Sequence, residues 1–155
     1  MSGHKRIRRA RVQDVPAICQ LVNYYAEREA MLHRSLENAY QSLRSFLVAE
    51  DGDGRIIGSV AVDIFWADLA EVRSLAIDPN SRGKGVGTAL LAAAVEDARE
   101  LGVKRLFTLT YEQAFFAKHG FEPVDRQKLP EKVWQACIAC PKADECDEVA
   151  MVLAL

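Results

Sequence analysis

EVRSLAIDPNSRGKGVGTALLAAAVEDARELG, residues 71–102, is the stretch that decides how the chain folds. Its first seven residues, Glu71 to Ile77, read as a strand that stops at Asp78-Pro79. Glycines follow at 83, 85 and 87, with Arg82 and Lys84 among them. Residues 86–101 then predict a helix. Val86, Ala89, Leu90, Ala93 and Leu101 are expected on one face, and Gly102 supplies the stop. A helix N-terminus presents unpaired N–H groups and a partial positive charge. Glycine lets that backbone approach a ligand closely, and Arg82 and Lys84 add full charge. Strand, loop and helix together predict a phosphate or pyrophosphate site. The plain alternative is a helix cap with spare glycines. The dinucleotide fingerprint is not met, because position 88 is Thr and no acidic residue follows at the ribose spacing. The nucleoside-triphosphate loop also fails, since it needs Gly-Lys-Ser/Thr after four intervening residues.

Outward from this stretch, strands and helices alternate. Residues 6–12 predict a strand with Ile7 and Val12 inward, and the basic residues around it a solvated edge. Asp14 is the expected N-cap, with Pro16 in the first turn, of a helix over 15–28 carrying Ile18, Leu21, Val22 and Tyr25 at helical spacing. A second helix is expected over 35–46, starting near Ser35. Phe46–Glu50 and Ile56–Phe65 read as strands around a turn at Asp51-Gly52-Asp53-Gly54, with Gly58 at a bulge. That turn opens like a calcium loop, but the later ligands are missing. Arg105–Thr110 is a strand, Glu112–His119 a short helix closed by Gly120, and Phe121–Val124 and Val149–Leu155 the last strands. The class is mixed α/β with one central sheet flanked by helices. The expectation is one domain over 1–155, with a cysteine-containing segment at about 125–147 before the last strand.

A chain of 155 residues that is half apolar can build one real core. A net charge of −2 argues against a general nucleic-acid binder. No run is long and apolar enough for a bilayer, and the N-terminus lacks the apolar core of an export signal. The expected compartment is the cytoplasm, with no membrane partner. Without export, a disulfide framework is not the default for Cys19, Cys137, Cys140 and Cys146. Cys137, Cys140 and Cys146 carry half of a zinc-site spacing. Three readings compete there: reduced thiols packing a loop, a zinc site completed by a fourth ligand, and a redox pair.

Arg82-Gly83-Lys84-Gly85-Val86-Gly87 matches the R/Q-x-x-G-x-G/A signature and resembles the GCN5-related N-acetyltransferases (GNAT). Phe115-Phe116-Ala117-Lys118-His119-Gly120-Phe121 is similar to that family's later motif. The resemblance implies a GNAT-type domain that uses acetyl-CoA. Loop amides of Arg82 to Gly87, with Thr88, would hold the pyrophosphate, and the main chain of Leu75, Ala76 and Ile77 would pair with the pantetheine arm. Ile64 to Ala76 and Leu106 to Thr110 look further like the acetyltransferase domain of N-acetylglutamate synthases, and Leu129 to Trp134 with Cys137 to Pro141 through Cys146 to Glu148 is similar to their short bacterial form. That narrower likeness implies glutamate as acceptor, N-acetylglutamate as product, arginine biosynthesis as context and a homodimer as the expected assembly.

Acetyl transfer to an amine needs a base, because the amine is mostly protonated at neutral pH. Glu71 stands at the strand position where the synthase domain carries its proposed base. Many family members place a tyrosine acid where this chain has Phe116; the synthase-like alignment offers Thr110, with Tyr111 beside it, to assist the leaving thiolate. By the same alignment Arg34 is expected to hold the substrate carboxylate, with Arg73 and Ser74 beside the base. A bidentate arginine suits that task. Asp147-Glu148 stands where long synthases have basic and hydroxyl residues. That departure keeps two alternatives open: another amine, such as a different amino acid or a polyamine, and a non-catalytic acyl-CoA or redox sensor.

Overall fold

The structure is a computed structural model that describes residues 6–125, Leu129 and 148–155. Strands are β1 (Arg6–Arg9), β2 (Phe46–Glu50), β3 (Ile56–Trp66), β4 (Leu69–Ile77), β5 (Arg105–Thr110), β6 (Glu122–Pro123) and β7 (Val149–Ala154). Helices are α1 (Val15–Ala26), α2 (Leu36–Gln41), α3 (Val86–Leu101) and α4 (Gln113–Lys118). The strands form one sheet in the order β1-β2-β3-β4-β5-β7-β6. Every pairing is antiparallel except β4 with β5. The predicted α/β class and element order hold. Among the described residues, no helix is long and apolar enough to cross a membrane. Cys137, Cys140 and Cys146, like most of the segment at 125–147, lie outside the described residues.

Alternation along the strands assigns the two faces. Leu47, Ala49, Val60 and Val62 pack with Leu90, Leu91 and Ala94 of α3. Phe46, Val48 and Ala61 turn the other way, onto Ile18, Leu21 and Val22 of α1. The helix stripe differs from expectation at its end: Ala94 and Ala98 continue the buried row, and Leu101 is exposed. Leu101 keeps the angular position of Leu90 and Ala94, but it is the last residue of α3, just before the Gly102 stop.

Two expectations at the N-terminus need correction. Val12 is 61% exposed, because β1 ends at Arg9 and a 3-10 turn over Val12–Asp14 swings it outward. Asp14 makes no cap bond to α1. Its carboxylate accepts two bonds from Arg8, at 2.7 and 3.1 Å, and the Arg11 N–H at 2.7 Å. A bidentate guanidinium on the neighbouring strand outcompetes a single helix amide. Arg8 and Arg9 are therefore paired with Asp14, Glu50 and Asp97 rather than simply solvated. Ser35 does cap α2, accepting the Asn38 N–H at 3.0 Å, but the helix stops at Gln41 and a 3-10 turn fills Leu43–Ser45.

Gly58 lies where the β2–β3 ladder shifts, Ala49 facing Gly58 and Glu50 facing Ile56. It also lets α3 close onto β3: an added Cβ would stand 2.7 Å from Leu90 Cδ1 and 3.1 Å from Val86 Cγ1. Gly58→Val is expected to destabilise the fold by about 1–3 kcal/mol through overpacking, read as a Tm roughly 3–10 °C lower. An unchanged Tm would contradict this packing.

Candidate functional site

The site is a consequence of how β4 and β5 meet. They pair in parallel at Leu69–Arg105, Ala70–Leu106 and Glu71–Phe107 and no further. Beyond Glu71 the strands separate, and the Thr108 hydroxyl reaches across, donating to the Val72 carbonyl at 3.1 Å. The crevice opens at the carboxyl ends of parallel strands, the common ligand position in α/β sheets. It widens into a cavity of about 520 Å³, a size that suits a small-molecule or cofactor ligand.

One end of the cavity is the glycine loop. Arg82, Gly83, Gly85, Val86, Gly87 and Thr88 line it. Gly83 and Gly85 both have φ of +78°, a conformation that costs any residue with a Cβ. Gly85 is the N-cap of α3, and no side chain caps that helix. The first-turn N–H groups are thus left for a ligand. Arg82 lies with its guanidinium carbon 5.7 Å from the Tyr25 ring centroid. Lys84 is exposed and does not line the cavity. His119, at the end of α4, stands 3.4 Å from the Thr88 hydroxyl and edge-on to Phe115.

The wall between the two ends is β4. Ser74, Leu75 and Ile77 line it, while Ala76 is buried on the opposite face with the α1 cluster. The β3–β4 ladder skips here: Ser59 faces Ala76, and Ala61 faces Arg73. Ser74 takes up the extra length with φ of +54°, an uncommon conformation for a residue with a side chain. Two bonds hold it: the Arg34 Nε–H donates to its hydroxyl at 2.9 Å, and the Ser59 hydroxyl donates to its carbonyl at 3.0 Å. Tyr25, read in the sequence only as part of the apolar stripe of α1, lines the cavity and donates its hydroxyl to the Ile77 carbonyl.

The other end is ionisable. Glu71, Arg73 and Glu148 line it. Glu71 is 8% exposed. Burial pushes its carboxyl up to about 8; Arg73 opposes the rise, Asp63 and Glu148 add to it, and Arg34 opposes it. Such a value is matched to proton transfer near neutrality. Arg73 Nε lies 3.6 Å from Glu71 Oε1. Thr110 is buried and accepts the Glu112 N–H at 2.8 Å, which leaves its own proton to donate. Tyr111 is 38% exposed on the same wall. Phe116 is buried and brings no hydroxyl.

Arg34 is placed differently from a bare carboxylate clamp. It does not line the cavity. Its guanidinium is 5% exposed and donates to Ser74, to Asn38 Oδ1 at 2.8 Å and to Asp63 Oδ2 at 3.4 Å. It stands behind the Ser74 kink, with three bonds to described residues. Asp63 escaped the sequence reading altogether. No group of three or more His, Cys, Asp or Glu among the described residues could hold a metal ion.

The chain matches the family described as Acetyltransferase (GNAT) family over residues 12–121. It is 40% identical over 149 residues to an uncharacterised N-acetyltransferase of Chlorobaculum tepidum, covering 96% of each chain. It is 40% identical over 130 residues to the amino-acid acetyltransferase of Mycobacterium tuberculosis, covering 83% of this chain and 74% of that one. Among solved structures, N-acetylglutamate synthase from Neisseria gonorrhoeae, complexed with coenzyme A and N-acetyl-glutamate, superposes with a TM-score of 0.90 at 30% identity. That match covers 98% of this chain but 35% of the synthase, so the chain corresponds to about a third of that protein. With the matched family spanning most of its length and the glycine loop at the head of α3, the chain belongs to the GNAT family of acetyltransferases.

Proposed function

We propose that this acetyltransferase moves the acetyl group of acetyl-CoA onto the α-amine of L-glutamate, making N-acetylglutamate, by direct transfer with both substrates bound. The observation that carries the reading is one cavity with an uncapped, glycine-built helix N-terminus at one end and a buried, proton-hungry carboxylate at the other. The first suits a pyrophosphate and the second suits an ammonium. The relatives' names, amino-acid acetyltransferase and N-acetylglutamate synthase, supply the acceptor class.

In this reading the amides of Gly83 to Thr88, with Arg82, hold the CoA pyrophosphate. The open edge of β4 past Glu71 pairs with the pantetheine arm as an added strand. Glu71 takes a proton from the acceptor ammonium, and the freed amine attacks the thioester carbonyl. The C–N bond forms and the C–S bond breaks; Thr110 or Tyr111 passes its hydroxyl proton to the departing thiolate and regains one from the second proton that the acylated nitrogen sheds. Arg73 holds an acceptor carboxylate at the cavity wall. Arg34 supports the kink at Ser74 and ties it to Asp63.

A second reading is favoured by one observation. Glu71 and Glu148 both line the acceptor end against a single lining arginine, Arg73, so an amino acid with an uncharged side chain avoids a second carboxylate there. Acceptor kinetics separate the two. CoA release from acetyl-CoA is expected to saturate with glutamate, and Arg73→Gln is expected to raise the glutamate KM at least tenfold, the loss of about 1.4 kcal/mol of charge-assisted binding. Release with an uncharged amino acid and none with glutamate would select the second reading.

A further inference from the structure

Asp63 and Glu71 sit directly opposite each other on β3 and β4. Opposed side chains on antiparallel strands start about 4.5–5.5 Å apart at Cβ, and like charges there repel. The repulsion is met by two arginines. Asp63 Oδ2 lies 3.4 Å from Arg34 Nη2 and 3.6 Å from Arg73 Nη1. Arg73 in turn lies 3.6 Å from Glu71 Oε1 through its Nε. The four groups form a chain of alternating charge, Arg34–Asp63–Arg73–Glu71, running from beneath the Ser74 kink to the cavity wall.

The arrangement holds an arginine close to a carboxylate that has to accept a proton. An arginine given over to Glu71 alone would form a closed ion pair and remove its basicity. An arginine shared with a second carboxylate cannot. We propose that Asp63 is a positioning residue: it holds the Arg73 guanidinium between itself and Glu71, so that Arg73 can orient an acceptor carboxylate without quenching Glu71 as a base. The inference rests on the reading of Glu71 as the base. The charged groups that face Glu71 are Arg73 on its own strand, Asp63 across the ladder, Glu148 at the approach to β7, and Arg34 before α2; the residue opposed on β5 is Phe107, uncharged.

The test is a carboxyl NMR titration of Glu71 in the ligand-free protein, beside the pH profile of kcat/KM for the acceptor, in wild type, Asp63→Asn and Asp63→Glu. Asp63→Asn is expected to lower the Glu71 titration midpoint by about one unit, a tenfold loss of proton affinity, and to move the acid limb of kcat/KM with it. Asp63→Glu is expected to restore both. A structural role alone would lower activity at every pH and leave the midpoint in place; an unmoved midpoint overturns the proposal. A midpoint that falls while the limb stays still sinks Glu71 as the base, and with that reading the proposal is overturned. Should Asp63→Asn not fold, Asp63→Ser takes its place with the same expected fall of the Glu71 midpoint, and a fixed or higher midpoint overturns the proposal.

Discussion

Glu71→Gln is expected to lower turnover about 10²–10⁴-fold, the usual contribution of a positioned base, while CoA binding stays within a few-fold of wild type. The amide keeps the shape of the side chain and loses only its ability to take a proton. The pH behaviour follows from the same group. Burial holds the carboxyl near 8, so wild-type kcat/KM rises as pH climbs through that value, and the residual activity of Glu71→Gln loses this limb. Stability runs the other way. A carboxyl whose folded value lies above its unfolded one favours the fold below the unfolded value and loses that contribution as pH rises through the folded value. Glu71→Gln is therefore expected to melt above wild type at about pH 9 and level with it at about pH 4. A variant that is inactive but no more stable in alkali would place the cost of burying this carboxylate elsewhere.

Gly85→Val is expected to weaken acetyl-CoA binding roughly tenfold to a hundredfold, with kcat at saturation changed far less. The glycine has φ of +78° at the mouth of α3. A Cβ in the left-handed region costs about 1–2 kcal/mol, and branching adds to it; each 1.4 kcal/mol is about tenfold in affinity. The strain is relieved by turning the loop, which takes the first-turn N–H groups off the ligand. Direct titration with CoA measures it. Unchanged affinity would mean that the pyrophosphate is held by side chains, with the loop a mere connector.

Much of this was legible from local sequence. The run from Glu71 to Gly102 fixed a strand, a glycine turn and a helix because each signal acts over a few residues: branched side chains, Pro79, the glycines, and the apolar stripe. Glu71, Thr110, Tyr111 and the glycine loop do meet in one cavity. What was hidden depends on register and competition. Counting back from the turn between Trp66 and Leu69 pairs Asp63 with Val72, on the wrong face. The irregularity between Ile64 and Trp66 shifts the ladder by one and brings Asp63 opposite Glu71. Asp14 looked like a helix cap because its rival, Arg8, lies on another element. Arg34 looked like a free clamp because neither Ser74 nor Asn38 betrays in sequence that it will bond it.

The measurement that bears most directly on the central claim is a one-pot competition. Acetyl-CoA and the protein are mixed with equal amounts of glutamate, an uncharged amino acid and a polyamine, and the acetylated products and released CoA are counted by mass spectrometry. The account predicts one acetyl group on an α-amine per CoA released, with N-acetylglutamate the main product. Acetylation of the polyamine in preference to both amino acids, or CoA release with no acetylated amine, would contradict it.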